Sequence, residues 1–256
     1  MKVLLAIPCY NCEVQVERVL QALESLPAFS QIEAAMFIDN RSTDGTLQRL
    51  LKLRRRSPIA NKFLIAQNEK NYGLGGSHKV AFNHAIQNGF DAVLLLHGDD
   101  QADTADIPAM LQLAQTRERT ILGSRFMPAS RLHNYSLSRI WGNRVLNLVF
   151  TIATRTPTRD LGSGLNLFRA VDLKKIPYRE LSDSFNFNVD LLLEFYRRSL
   201  AVDFMPIHWR ESDQTSNARN FNVAFKMLRS LLLWLSRIPR RSPETKNYAT
   251  VLFPIE

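Results

Sequence analysis

The chain has 256 residues, 45% hydrophobic and 22% charged, a balance typical of a soluble globular protein long enough to bury a large core. Lys and Arg number 33 against 24 Asp and Glu, and the net charge of +9 suits phosphate-bearing or otherwise anionic partners. The basic residues are scattered and no DNA- or RNA-binding motif is present, which argues against nucleic acid. No apolar run approaches the ~20 residues that span a bilayer. The apolar stretch after Lys2 stops at Pro8, too early for a secretory leader. The expected setting is cytoplasmic and reducing.

Residues 3–7 are continuously apolar and read as a buried first strand, closed by Pro8. Val16, Val19, Leu20 and Leu23 recur at helical spacing and predict a helix over 13–26, ended by Pro27. A second strand over 34–38 runs into Asp39 and a polar turn whose Ser, Thr and Asp can cap a helix over 46–54. Arg54, Arg55 and Arg56 read as a solvated helix end. A third strand over 63–66 precedes a glycine-rich loop, 71–77, which opens a helix near 79–88. The fourth strand, 91–96, ends abruptly in His97-Gly98-Asp99-Asp100-Gln101. A helix over 104–116 and a strand over 120–123 lead to Ser124-Arg125-Phe126. This alternation predicts a parallel, doubly wound first half.

The second half is less regular. Residues 140–153 are apolar on most faces and read as a buried or interfacial helix. A strand over 164–168, a helix over 189–197 and a strand over 202–209 follow. A helix over 221–238 carries Phe221, Ala224, Phe225, Leu228, Leu232 and Leu235 on one face. That face either packs on the core, the simpler use, or lies on a membrane surface. From Arg240-Arg241 the tail reads as extended.

Carboxylates at the carboxyl end of a buried parallel strand sit where such sheets bind ligands, and they suit a hard divalent cation. The Cys9-x-x-Cys12 spacing lacks the further ligands zinc needs, so both cysteines read as small buried or turn residues. The glycine-rich loop has neither dinucleotide-binding nor Walker spacing. It either cradles an anion at a helix N-terminus or lets backbone pass close to backbone. Asp39 either caps a turn or accepts hydrogen bonds from a ribose or base. His97 on its own reads as an ordinary capped histidine, and His78, His84, His133 and His208 read as structural.

In order, IPCYNCE (7–13), FIDNRSTDGT (37–46), NYGLGGS (71–77), LLLHGDDQAD (94–103), LGSRF (122–126), RDLGSGLNLFR (159–169) and FNFNVDLLLE (185–194) resemble the motif series of family 2 glycosyltransferases. The similar branch contains dolichol-phosphate mannose synthases and bacterial polyprenyl-phosphate glycosyltransferases. The resemblance implies an α/β GT-A fold, a Rossmann-like, mainly parallel mixed sheet flanked by helices. Residues 1–217 would form the transferase domain, with 1–103 as its nucleotide-binding half and 104–217 as its acceptor half. Residues 218–256 would add an amphipathic helix and an extended tail. The implied reaction is inverting sugar transfer from a nucleotide-diphosphate sugar, with UDP or GDP as carrier and a divalent Mg or Mn ion as cofactor.

Carried over position by position, Pro8, Tyr10 and Glu13 match the nucleotide segment, and Asp39 matches the acid that reads the base. Asn71, Gly73 and Gly75 match the donor loop. His97, Asp99 and Gln101 fall on the metal and diphosphate motif. Arg125 matches the arginine of the family's Gly-Ser-Arg motif, Ser163-Gly164 the acceptor-side motif, and Arg210 resembles a late arginine that meets donor or acceptor phosphate. Three positions depart from the pattern: His97 and Asn40 stand where aspartates are usual, and Ser216-Asn217 stands for Ser-Lys, with Arg219 nearby.

The basic balance and the two apolar helices favour a lipid-phosphate acceptor, with the protein peripheral on the cytoplasmic face of a membrane. A hydroxyl acceptor on a cell-envelope glycan would need a base, for which Asp160 and Asp190 are the candidates. A non-catalytic nucleotide-sugar-binding module is the rival from another class. A nucleotidyltransferase would need a lysine-bearing N-terminal glycine loop that the chain lacks.

Overall fold

The computed structural model describes residues 1–211, 213, 220–237 and 247–254. The expectations for Ser216, Asn217, Arg219, Arg240 and Arg241 lie outside those residues. The first half alternates as expected: β1 (Val3–Cys9), α1 (Gln15–Glu24), β2 (Ala34–Asp39), α2 (Thr46–Arg54), β3 (Phe63–Asn68), α3 (Gly73–Gln87) and β4 (Ala92–Leu96). β3, β2, β1 and β4 are parallel neighbours in that order. The chain winds outward from β1 to β3, then returns to place β4 on β1's other side. That reversal opens a crevice at the carboxyl ends of β1 and β4, the usual ligand position in such sheets.

Pro8 does not close β1; it pairs in register with Ile38. In a strand, a residue's N–H and C=O point to the same side. The Pro8 carbonyl accepts from the Gly98 N–H at 3.0 Å, so its missing donor faces β4. There the β1–β4 ladder has already ended at Ala6–Leu95, and no ladder bond is lost.

The second half runs α4 (Ile107–Arg117), β5 (Thr120–Ser124), β6 (Arg131–His133), α5 (Leu137–Thr154), β7 (Leu165–Arg169), α6 (Ala170–Leu173), α7 (Phe187–Arg197), β8 (Val202–Pro206), β9 (His208–Arg210), α8 (Asn220–Leu235) and β10 (Thr250–Phe253). β7 inserts antiparallel between β4 and β5, and β8 runs parallel to β5. The expected single strand over 202–209 is thus two strands. The break is held by Asp106, whose carboxylate accepts from His208's backbone N–H at 2.6 Å and meets its Nδ1 at 2.8 Å. β6 and β9 form a small parallel pair. The extended tail joins the main sheet, since β10 pairs antiparallel with β3 and covers that edge.

Alternation along β1 feeds two cores. Val3, Leu5 and Ile7 face α1, α2 and α4, while Leu4 and Ala6 face α3 and α7. Burying each such large side chain is worth about 1.5–3 kcal/mol, so the sheet centre, and the crevice at its end, is the most firmly held part of the molecule. α3 begins six residues earlier than its expected start at 79. Its glycines form the first turns because a side chain there has no room. A Cβ at Gly75 would lie 2.5 Å from the Ser182 carbonyl oxygen and 2.6 Å from Phe187 Cβ. Of the two readings of that loop, close backbone approach is the one the packing requires.

The two apolar helices are covered on one side only. On α5 only Asn147 and Phe150 are buried. α8 packs inward through Ser230 and Leu231, with Met227 and Trp234 half-buried beside them, whereas Phe225, Leu228, Leu232 and Leu235 face solvent. The helix is apolar on two sides, and the periodic stripe in the sequence is the outer one.

Candidate active site

The carboxyl edge of the sheet carries motif residues on the loops after β1, β2, β3, β4 and β5 and on the one before β7. The loop after β1 is zipped to the loop after β2. Asn11 Oδ1 accepts from the Thr43 N–H at 2.8 Å, and the Cys12 N–H donates to Thr46 Oγ1 at 2.9 Å. Glu13 Oε2 accepts from the Gly45 N–H at 3.2 Å, so this residue caps the start of α2. Tyr10 is exposed at the end of β1. Asp39 is fully buried at the end of β2, held by the Ser42 N–H at 3.2 Å and Gln67 Nε2 at 2.8 Å.

Asn40, which replaces an expected acid, is a hydrogen-bond hub. Its Oδ1 accepts from Asn68 Nδ2 at 2.8 Å and the Tyr72 N–H at 2.9 Å, and its Nδ2 donates to Asn71 Oδ1 at 2.9 Å. An aspartate could not make the last bond. The asparagine therefore joins β2 to the glycine-rich loop rather than merely deleting a charge. Asn71 Oδ1 also accepts from the Gly73 N–H at 2.8 Å.

After β4, Gly98 lies on the two cysteines, and a Cβ there would meet Cys9 Sγ at 2.6 Å. Both cysteines are buried and free. Burial, then the contact with Cys12, pushes the Cys9 thiol well above its ordinary pKa. These are packing thiols, as the sequence suggested.

His97 is half-buried, and its Nε2 lies 3.3 Å from Nε2 of the fully buried His78. Its Nδ1 is on the Gly164 side. Burial lowers both imidazole pKa values, so the pair is neutral, one ring donating and the other accepting. Ligation of a metal by His97 Nε2 would require this pair to open. Asp99 is half-buried, and burial raises its pKa. Its Oδ1 accepts from the Gln101 N–H at 3.2 Å, and among the described residues no cation pairs with it.

Asp100 was not singled out by the sequence reading, yet it organises this loop. It is buried, with a left-handed φ of 59°, and its two oxygens are divided between two arginines. Arg18 Nε of α1 donates to Oδ2 at 2.6 Å, and Arg210 Nη2 of β9 donates to Oδ1 at 2.7 Å. Arg210 Nε also donates to the Asp100 carbonyl at 3.1 Å. Arg18 reaches Asp213 as well, at 2.9 Å.

After β5, Arg125 forks onto Asp160, with Nε–Oδ2 and Nη2–Oδ1 both 2.8 Å. Its guanidinium stacks on Phe126 and Trp209, each 5.1 Å to the ring centroid. Burial works against this charge and Asp160 overcomes it, so the pKa is raised. Asp160 Oδ1 also accepts from the Gly162 N–H at 3.0 Å. Asp190 is buried between α7 and α8, accepting from Asn186 Nδ2 at 3.0 Å and Ser230 Oγ at 2.8 Å. Both base candidates are thus engaged. Ser163 is buried and bonds within its own turn, 3.0 Å from Asn166 Oδ1.

A second group the sequence did not reveal is Lys79 on α3, fully buried, which donates to Asp183 at 2.6 Å and Tyr248 at 3.0 Å. It locks α3 to the 181–183 segment and to Tyr248.

The strand order, with one antiparallel strand inserted beside β4 and the site on the loops at its carboxyl edge, defines a GT-A fold glycosyltransferase. The Mycobacterium tuberculosis glucosyl-3-phosphoglycerate synthase, solved with UDP, shares this fold: TM-score 0.67, 14% identity, covering 93% of this chain and 81% of that one. Staphylococcus aureus TarS, solved with UDP-GlcNAc, aligns with TM-score 0.59 at 16% identity over 96% of this chain and 68% of its own. The chain belongs to glycosyl transferase family 2, whose model matches residues 5–176. A Saccharomyces cerevisiae dolichyl-phosphate beta-glucosyltransferase is 25% identical over 251 residues, 89% of this chain and 72% of that protein.

Proposed function

We propose that the protein transfers a sugar, with inversion, from a UDP- or GDP-linked donor to the phosphate of a polyprenyl lipid. The observation that carries this reading is the carboxylate inventory of the crevice. Asp39 is buried and held by Gln67 and the Ser42 N–H, Asp160 by Arg125, and Asp190 by Asn186 and Ser230, which leaves Asp99, the residue that would hold a divalent ion. A hydroxyl acceptor needs an open base; a phosphate acceptor is already an anion and does not. The name of the yeast relative points the same way.

The mycobacterial synthase was also solved with Mn²⁺ and UDP-glucose, which supports a divalent ion here. Among the described residues no three His, Cys, Asp or Glu side chains could hold an ion unaided. That fits a site that borrows phosphate oxygens from its donor, as ions bound through one or two carboxylates do. Asp99 would hold the ion, with Gln101 beside it. When bound, it would neutralise charge growing on the leaving diphosphate.

The chain's own groups do the rest. Asp39 accepts from the base, Asn71 and the start of α3 border the donor, and Arg210 meets phosphate. Arg125, fixed by Asp160 and two aromatic rings, presents a preorganised charge to the acceptor. The lipid phosphate oxygen bonds to the anomeric carbon as the bond to the diphosphate oxygen breaks, and no proton need leave the acceptor.

The test uses radiolabelled UDP- and GDP-sugars with polyprenyl phosphate, polyprenyl alcohol or 3-phosphoglycerate. Label should enter the organic phase only with the lipid phosphate, and Asp99→Ala should abolish it. Equal transfer to the alcohol, or transfer only to the water-soluble acceptor, would overturn the reading.

A further inference from the structure

α5 is fastened to the acceptor side of the site by its inner, polar positions. Arg139 Nη1 donates to Glu211 at 2.6 Å, next to Arg210. Asn147 Nδ2 donates to the Arg159 carbonyl at 2.7 Å, which Ser124 Oγ also reaches at 3.0 Å. The outer side is apolar. Leu137, Trp141, Val145, Leu148 and Ile152 are exposed at steps of three and four residues, with Trp141 at 64% and Ile152 at 69%. At 1.5 Å per residue that stripe is about 22 Å long. α8 packs against α5 and carries exposed Phe225, Leu232 and Leu235 of its own. An apolar face on this scale is uncommon on a monomer's surface and marks an interaction site.

Charge selects the occupant. Neither helix contains an Asp or Glu, and Arg144, Lys226 and Arg229 are exposed on them. A twofold contact between copies would bring these basic residues onto their own images with no acidic residue on either helix. An anionic bilayer offers apolar chains to the stripe and lipid phosphates to the cations. No described helix is long and apolar enough to cross a membrane, so the contact is with its surface. We propose that the α5–α8 face seats this protein on an anionic lipid bilayer, beside the site's acceptor end. This inference rests on the reading of the acceptor as a lipid phosphate.

Co-sedimentation of the full chain with phosphatidylcholine vesicles, with and without phosphatidylglycerol, tests it. The wild type should pellet with the anionic vesicles. Val145→Glu with Leu148→Glu should lower binding to both more than about tenfold, at unchanged melting temperature. Arg144→Gln, Lys226→Gln and Arg229→Gln together should erase the anionic preference, about fivefold per charge. Wild type left in the supernatant, or an apolar double variant that still pellets, would overturn the proposal. So would a wild-type dimer, seen by light scattering without vesicles, that the double variant dissolves. No donor or acceptor is added, so a failure of nucleotide binding would strike the reading of the site and leave the vesicle result standing.

Discussion

Replacing Asp100 with glycine separates what this residue does for the fold from what it does for the donor. Glycine adopts the left-handed backbone without penalty, which returns about 1 kcal/mol. Two charge-assisted hydrogen bonds are lost, each nominally about 1.5–3 kcal/mol. Arg18 and Arg210 are 38% and 45% exposed, however, and solvent screening reduces each bond to about 0.5–1 kcal/mol. The net change in stability should stay within about 1 kcal/mol, a melting shift of about 2–4 °C. Arg210, in contrast, loses the carboxylate that aims its Nη2 and keeps only the Nε bond to the carbonyl of residue 100. Ordering such a side chain on binding costs about 0.5–1.5 kcal/mol, so affinity for the nucleoside diphosphate should fall about three- to tenfold. The matching nucleoside, which has no phosphate for Arg210 to meet, should bind unchanged. Calorimetry with UDP and uridine, or GDP and guanosine, reads the difference directly. Equal losses for nucleotide and nucleoside, or no loss for either, would refute the assignment of Asp100 as the residue that positions Arg210.

Two further outcomes follow from burial. Native Cys9 and Cys12 should resist iodoacetamide at pH 8, since burial raises the Cys9 thiol pKa, and both should react in denaturant; rapid native labelling would contradict the packing role. His78 is held neutral with its pKa well below 6.5. The unfolded chain therefore takes up a proton first as pH falls, and stability should drop below about pH 6.5 by at most ~1.4 kcal/mol per pH unit. In a His78→Gln variant the denaturation midpoint should lose that share of its pH slope; an unchanged slope would reject the assignment.

Much of the fold was legible because its signals are local. The uninterrupted runs of β1 and β4 announce strands buried on both faces, and α2 lies where its turn residues place it. Arg54, read as part of a solvated helix end, is instead buried and donates to the carbonyls of Phe253 and Pro254. The motif order carried the family. What escaped depends on partners far apart in the chain. Asp100 joins Arg18 to Arg210, and Lys79 meets Asp183 and Tyr248. No window of sequence contains such pairs, although the doubled acid in His97-Gly98-Asp99-Asp100 was a usable hint. The α8 stripe left two readings open, because periodicity shows only that a face is apolar; Ser230, Leu231 and Trp234 show that a different face is the one covered by protein. The start of α3 moved because packing against the 182–187 segment set it.

The most direct test of the account is calorimetric titration with UDP and with GDP, each with and without Mn²⁺, on the wild type and on Asp99→Ala. One nucleotide should bind the wild type in a Mn²⁺-dependent manner, and Asp99→Ala should lose the metal dependence while keeping its melting temperature. A folded wild type that binds neither nucleotide, or an Asp99→Ala variant that binds as the wild type does, would contradict the proposed donor site.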